Sequence, residues 1–130
     1  MADQLILIIE DNERNLKLVR DVLQFSGFRT VEARTAEDGL ALASARPPDL
    51  VLLDLQLPGI DGMEAFRQLR GSPPTAGVPV VAVTALAMKE DRERVLRAGF
   101  DGYLEKPISV RELPGQVRAF LTAAELPDDR

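Results

Sequence analysis

The sequence predicts a single α/β domain in which helices cover both faces of a mostly parallel sheet. Two observations carry this. The apolar pattern changes period repeatedly along the chain, with short continuous runs alternating with longer stretches at helical spacing. The short runs are apolar at nearly every position, as in parallel strands buried on both faces, and right-handed crossovers then place helices on each side of the sheet. A length of 130 residues supports one core of ordinary size and no second domain of comparable size.

Leu5 to Ile9 is the first apolar run, and it ends in Glu10 and Asp11. Leu16, Val19, Val22 and Leu23 then recur at helical spacing until Ser26-Gly27 ends the first helix, which either Asp11 or Asn12 can cap. Arg29 to Ala33 reads as a short second strand. Thr35, with Asp38 three residues on, marks a helix start before Leu40, Ala41 and Leu42, and Pro47-Pro48 stops that helix. Leu50 to Asp54 is the third strand and Gly62 to Arg70 the third helix, with Met63, Phe66 and Leu69 on one face. Residues 71–77, rich in Gly and Pro, form a loop. Val78 to Thr84 is the fourth strand, with Pro79 near its beginning, where a missing donor is tolerable. Lys89 to Ala98 is helical and ends at Gly99; its charged residues from Lys89 to Arg94 read as a solvated face. Gly102 to Glu105 is the fifth strand. Ser109 and Glu112 form a capping-box pattern that opens the last helix, whose apolar face is Val117, Phe120 and Leu121. Pro114-Gly115, beyond its first turn, is expected to kink or delay it. The expected domain spans 1–124, with 125–130 as a short fraying tail.

Composition narrows the chemistry. The formal net charge is -5 with no dominant basic stretch, which argues against direct nucleic-acid binding. Histidine and cysteine are both absent, which excludes disulfides, thiol nucleophiles, thiolate or imidazole metal sites and any histidine base. A metal must therefore be held by oxygen, which points to a hard ion such as magnesium. The amino terminus lacks a positive n-region and no apolar run approaches a membrane span, so the expectation is a cytoplasmic protein with no membrane insertion.

In open parallel sheets, ligands bind beyond the carboxyl ends of the strands. Here those ends hold Glu10 and Asp11, then Asp54, then Thr84, then Glu105 and Lys106. Clustered carboxylates repel and call for a cation. Magnesium takes one or two carboxylates together with phosphate oxygens, Lys106 can neutralise further charge, and the Thr84 hydroxyl can donate to a phosphoryl oxygen. With no histidine, cysteine or obvious activated serine, the nucleophile is a carboxylate itself, giving an acyl phosphate. Asp54 is the best candidate because its strand is the most uniformly apolar and so the most central. Taken singly, each residue has a plain explanation: Asp11 as a helix cap, Thr84 as a strand residue, Lys106-Pro107 as a loop, Tyr103 as a half-buried aromatic.

Taken together and in order, the segments Ile8 to Asn12, Asp54 to Gly62, Val83 to Ala85, Ala98 to Tyr103 and Lys106-Pro107 resemble a response-regulator receiver domain from about Leu5 to Leu121. The resemblance implies a flavodoxin-like (βα)5 three-layer sandwich with a five-stranded parallel sheet in the order 2-1-3-4-5, working as a two-component signalling switch. It implies that Asp54 accepts a phosphoryl group from a phosphohistidine on a sensor histidine kinase or histidine phosphotransfer protein. Mg2+ would be held by Asp11, Asp54 and the backbone carbonyl of Gln56, with Glu10 acting through water. Thr84 and Lys106 would bind the phosphoryl oxygens, and the Lys106–Pro107 peptide would be cis. Tyr103 would be the switch aromatic, turning inward as Thr84 moves toward the phosphate and reshaping the fourth helix and fifth strand. The kinase would meet the first helix and the loops around Asp54, and a downstream protein target would read the changed surface.

Departures are few. Glu10 stands where many members have aspartate, a variation that keeps the metal site, and Pro114-Gly115 interrupts a helix through which members dimerise. Gln56 and Leu86 occupy positions that, by the resemblance, tune the lifetime of the phosphorylated state in the family. The stretch from Glu10 to Asn15, with no output domain, resembles the family's single-domain cell-division regulators, and the starting methionine and short tail lead to the expectation of a complete protein. Such a domain assists its own phosphorylation and dephosphorylation and is not an enzyme acting on a separate substrate. Two other readings stay open. One is a magnesium phosphohydrolase of the haloacid-dehalogenase type, against which Gln56 stands where that chemistry favours a second acid. The other is a phosphate-independent binding module, in which uncompensated carboxylates would cost stability with no return.

Overall fold

Ten elements alternate along the chain in the computed structural model, which describes residues 4–85 and 88–125. They are β1 (Leu5–Ile9), α1 (Glu13–Phe25), β2 (Arg29–Ala33), α2 (Ala36–Ala45), β3 (Leu50–Asp54), α3 (Gly62–Gly71), β4 (Val80–Thr84), α4 (Lys89–Ala98), β5 (Gly102–Glu105) and α5 (Leu113–Glu125). The strands form one parallel sheet in the order β2-β1-β3-β4-β5, as the resemblance implied.

The continuous apolar runs follow from the pleat. Successive side chains of a strand point to opposite faces, so a central strand with a helical layer on each side needs apolar residues at every position. Ile6, Ile8, Leu50, Leu52, Val81 and Val83 enter one half-core, where α1 contributes Leu16, Val19 and Leu23 and α5 contributes Leu113, Val117 and Leu121. Leu7, Ile9, Val51, Leu53, Val80 and Ala82 enter the other, against Ala36 and Ala43 of α2, Ala65, Phe66 and Leu69 of α3 and Val95 of α4. β1, β3 and β4 are buried throughout, whereas the edge strands β2 and β5 are only partly so.

Local chemistry sets the helix starts. Asn12, Thr35 and Asp61 accept hydrogen bonds from the N–H groups of Asn15, Asp38 and Glu64 at 2.9, 3.1 and 2.9 Å, each satisfying a donor that the first turn leaves unpaired. The cap of α1 is thus Asn12 and not Asp11. Gly99 ends α4 with φ of 113°, in the left-handed region that favours glycine.

Four boundaries differ from the sequence reading. β4 begins at Val80, not Val78: Pro79 has no N–H to donate, and the Val80 N–H goes to Asp101 Oδ2 at 2.8 Å. α3 runs one residue further, to Gly71. α5 begins at Leu113; Ser109 Oγ does accept from the Glu112 N–H at 3.2 Å, but in a turn that precedes the helix. Pro114 thereby falls in the first turn of α5, where its missing N–H leaves no bond unmade. α5 continues through Glu125, one residue into the expected tail, and 126–130 lie outside the described residues.

Candidate functional site

Strand order reverses between β1 and β3, which lead away to opposite edges of the sheet. Such a switch point leaves a crevice beyond the carboxyl ends of the two strands. Glu10 and Asp11 follow β1, and Asp54 ends β3. One carboxylate oxygen from each lies within 4.8 Å of the others. Glu10 and Asp54 are only 4% and 2% exposed, so the repulsion between them is poorly screened by water.

Lys106, just after β5, bridges the pair: its Nζ is 3.1 Å from Glu10 Oε1 and 3.3 Å from Asp54 Oδ2. Burial works against the lysine charge, but Glu10 and then Asp54 outweigh it and raise the Lys106 pKa. Burial pushes Glu10 up to about 7, and the Asp54 charge pushes the same way; the Asn12 N–H, donated to Glu10 Oε2 at 3.1 Å, opposes both. Asp54 is oriented by its own loop, since the Gln56 N–H donates to Asp54 Oδ1 at 2.9 Å. That loop is tied down behind it by bonds from Leu55 N–H to the Val83 carbonyl and from Gly62 N–H to the Leu55 carbonyl, at 3.1 and 3.2 Å.

Of the residues singled out in the sequence, Glu10, Asp11, Asp54 and Lys106 meet in one cluster. Gln56 joins through its backbone N–H while its side chain is exposed. Thr84 is fully buried at the same end of the sheet, and its carbonyl accepts the Lys106 N–H at 2.9 Å. The Lys106–Pro107 peptide is cis. Tyr103 lies apart from the carboxylates: its ring packs with the half-core of Ala82, Val95 and Phe100, and burial raises its phenol pKa, with Glu105 adding to the rise. Leu86 lies outside the described residues. Sequence reasoning missed Arg92, whose guanidinium carbon sits 5.6 Å from the Tyr103 ring centroid. No periodicity marks such a contact, because it joins a helix and a strand through an arginine on a face that otherwise reads as solvated.

A family model described as the response regulator receiver domain matches residues 6–118. The chain belongs to the response-regulator receiver family. The polar-differentiation response regulator DivK of Brucella ovis is 41% identical over 116 residues, covering 89% of this receiver domain and 94% of the relative. Among solved structures, the receiver domain of a sensor histidine kinase from Pseudomonas aeruginosa PAO1, with a magnesium ion coordinated in its active-site cleft, is 32% identical with a TM-score of 0.84, covering 92% of this chain and 98% of that one. A CheY-like receiver domain protein from Methanospirillum hungatei JF-1 is 31% identical with a TM-score of 0.83, covering 95% of this chain and 97% of that one. The receiver is thus a regulator of two-component signalling, and no described helix is long and apolar enough to cross a membrane.

Proposed function

We propose that this receiver accepts a phosphoryl group on Asp54, from a phosphohistidine of a sensor histidine kinase or a histidine phosphotransfer protein in the cytoplasm. The observation that carries the proposal is the Lys106 ammonium set between Asp54 and Glu10 beside a third carboxylate, Asp11. An all-oxygen donor set with two buried carboxylates suits a hard divalent ion, so Asp11, Asp54 and the Gln56 carbonyl would hold Mg2+, with Glu10 acting through water. The ion, when bound, would neutralise charge on the phosphoryl oxygens.

The chain's own groups do the rest. A carboxylate oxygen of Asp54 attacks phosphorus, the P–N bond of the donor breaks, the imidazole leaves and takes up a proton from water, and Asp54 becomes an acyl phosphate. Lys106, which contacts Glu10 and Asp54 before transfer, and the Thr84 hydroxyl then hold the phosphoryl oxygens. Water later attacks phosphorus, the P–O bond to Asp54 breaks, and inorganic phosphate leaves with the carboxylate restored. The receiver assists both steps on itself and turns over no separate substrate. Movement of Thr84 toward the phosphate and of Tyr103 inward would reshape the α4–β5 surface for a downstream protein.

Intact mass after incubation with acetyl phosphate tests this. A single phosphoryl adduct that needs both Mg2+ and Asp54 is expected, and Asp54→Ala abolishes it. An adduct of equal yield in Asp54→Ala refutes the assignment. So does the absence of adduct in a folded wild-type protein that also fails to bind a phosphoryl mimic, the outcome that favours a phosphate-independent binding module.

A further inference from the structure

Tyr103 occupies an inward position that its own polar group does not favour. Its hydroxyl is shut off from solvent and finds no hydrogen-bond partner among the described residues. A buried hydroxyl without a partner pays its desolvation with nothing in return, so other contacts must hold the ring where it is. The apolar half-core supplies one part. Arg92 of α4 supplies the other, its guanidinium carbon lying 5.6 Å from the ring centroid, within reach of the negative face of the π-system. Among the described residues Arg92 makes no salt bridge that would draw it elsewhere. Arg92 and Tyr103 also line one groove of about 420 Å3 together with Glu105 and Ile108, so the position of the ring and the shape of the groove are linked through this arginine.

The two partners are seated very differently. Tyr103 stands on a strand of the sheet, paired in register with Ala82. α4 buries only Val95 and starts at Met88 without a side-chain cap. A contact between a strand held by its ladder to β4 and a helix held by one buried residue is sensitive to small shifts of the helix.

We propose that Arg92 is a positioning residue: its guanidinium caps the Tyr103 ring and biases it inward before any phosphoryl transfer. The domain then has less of its surface change left to make when Asp54 is phosphorylated. The second statement rests on the switch reading of Tyr103 given above, whereas the first does not.

The chain has one tyrosine and no tryptophan, so tyrosine fluorescence and the 19F resonance of fluorotyrosine-labelled protein each report on this ring alone. Acrylamide quenching and the 19F spectrum are compared for wild type, Arg92→Ala and Arg92→Lys without a phosphodonor, with thermal melts confirming that each is folded. Arg92→Ala should raise the outward-to-inward ratio of the ring roughly two- to fivefold, the range an exposed cation–π contact supports, and Arg92→Lys, which keeps a cation, should fall between. Identical quenching and spectra in all three proteins overturn the cap. Acetyl phosphate with Mg2+ should then move the 19F resonance further in Arg92→Ala than in wild type. An equal movement overturns the link to switching. If no adduct forms and no phosphoryl mimic binds, the phosphorylation reading fails and the first comparison still decides the cap.

Discussion

Glu10 is where burial and charge compete most sharply. Its carboxyl titrates at about 7 in the fold, chiefly because it is buried and next because Asp54 repels it, against an ordinary value near 4.5. Between those values the native state binds more protons than the unfolded chain, so this residue removes stability as pH rises through the window. Asp21 and Glu64, whose pKa values are lowered chiefly by bonds from Lys17 and Arg67, are solvent-exposed and act only at more acidic pH, where their contribution is lost as pH falls. The metal-free domain should therefore melt at a higher temperature near about pH 5 than near about pH 7.5, and Glu10→Gln should flatten that slope. Added Mg2+ should also flatten it, because a cation favours the ionised carboxylate. Thermal melts at the two pH values check this, and an unchanged slope in Glu10→Gln would place its origin elsewhere. The same cluster explains why Asn12 and not Asp11 caps α1: the Asp11 carboxylate belongs to the acidic group, which leaves the amide side chain to serve the helix.

α3 must start almost on top of the strand that carries Asp54. A Cβ at Gly62 would lie 2.5 Å from the Leu55 Cα and 2.7 Å from the Asp54 carbonyl oxygen, both backbone atoms that cannot swing aside. Gly62→Ala should destabilise the domain by about 1–3 kcal/mol, the usual range for overpacking, and lower the yield of phosphorylated Asp54. Urea unfolding alongside intact mass measures both, and unchanged stability would contradict so close an approach. Most element ends were legible because chemistry marks them: Thr35 and Asp38 before α2, Pro47-Pro48 after it, Gly99 after α4. β4 and α5 were placed too early for one reason. Apolar or capping residues can precede an element without belonging to its hydrogen-bond ladder, as Val78 and Ser109 do. The carboxylates and Lys106 were legible from their places at strand ends, but the Arg92–Tyr103 contact was not, since it depends on how α4 lies against β5.

Across the whole molecule, stability is expected to be graded from the centre of the sheet outward. β1, β3 and β4 are buried along their full length, and α4 is attached through one buried residue. Native-state hydrogen exchange should accordingly be slowest in those three strands and faster in α4 than in α3, which buries four residues. Equal protection of α3 and α4 would count against a lightly held α4. Leu52 and Leu53 adjoin in the chain but pack into opposite half-cores, so nearness along the sequence and nearness in energy part company at β3. Substitutions at the two disturb different half-cores, whereas Leu53 shares its surroundings with Phe66 and Leu69 and couples to them. The layer built from α1 and α5 is thus packed apart from the layer of α2, α3 and α4, and one acidic edge is mounted between two separate cores.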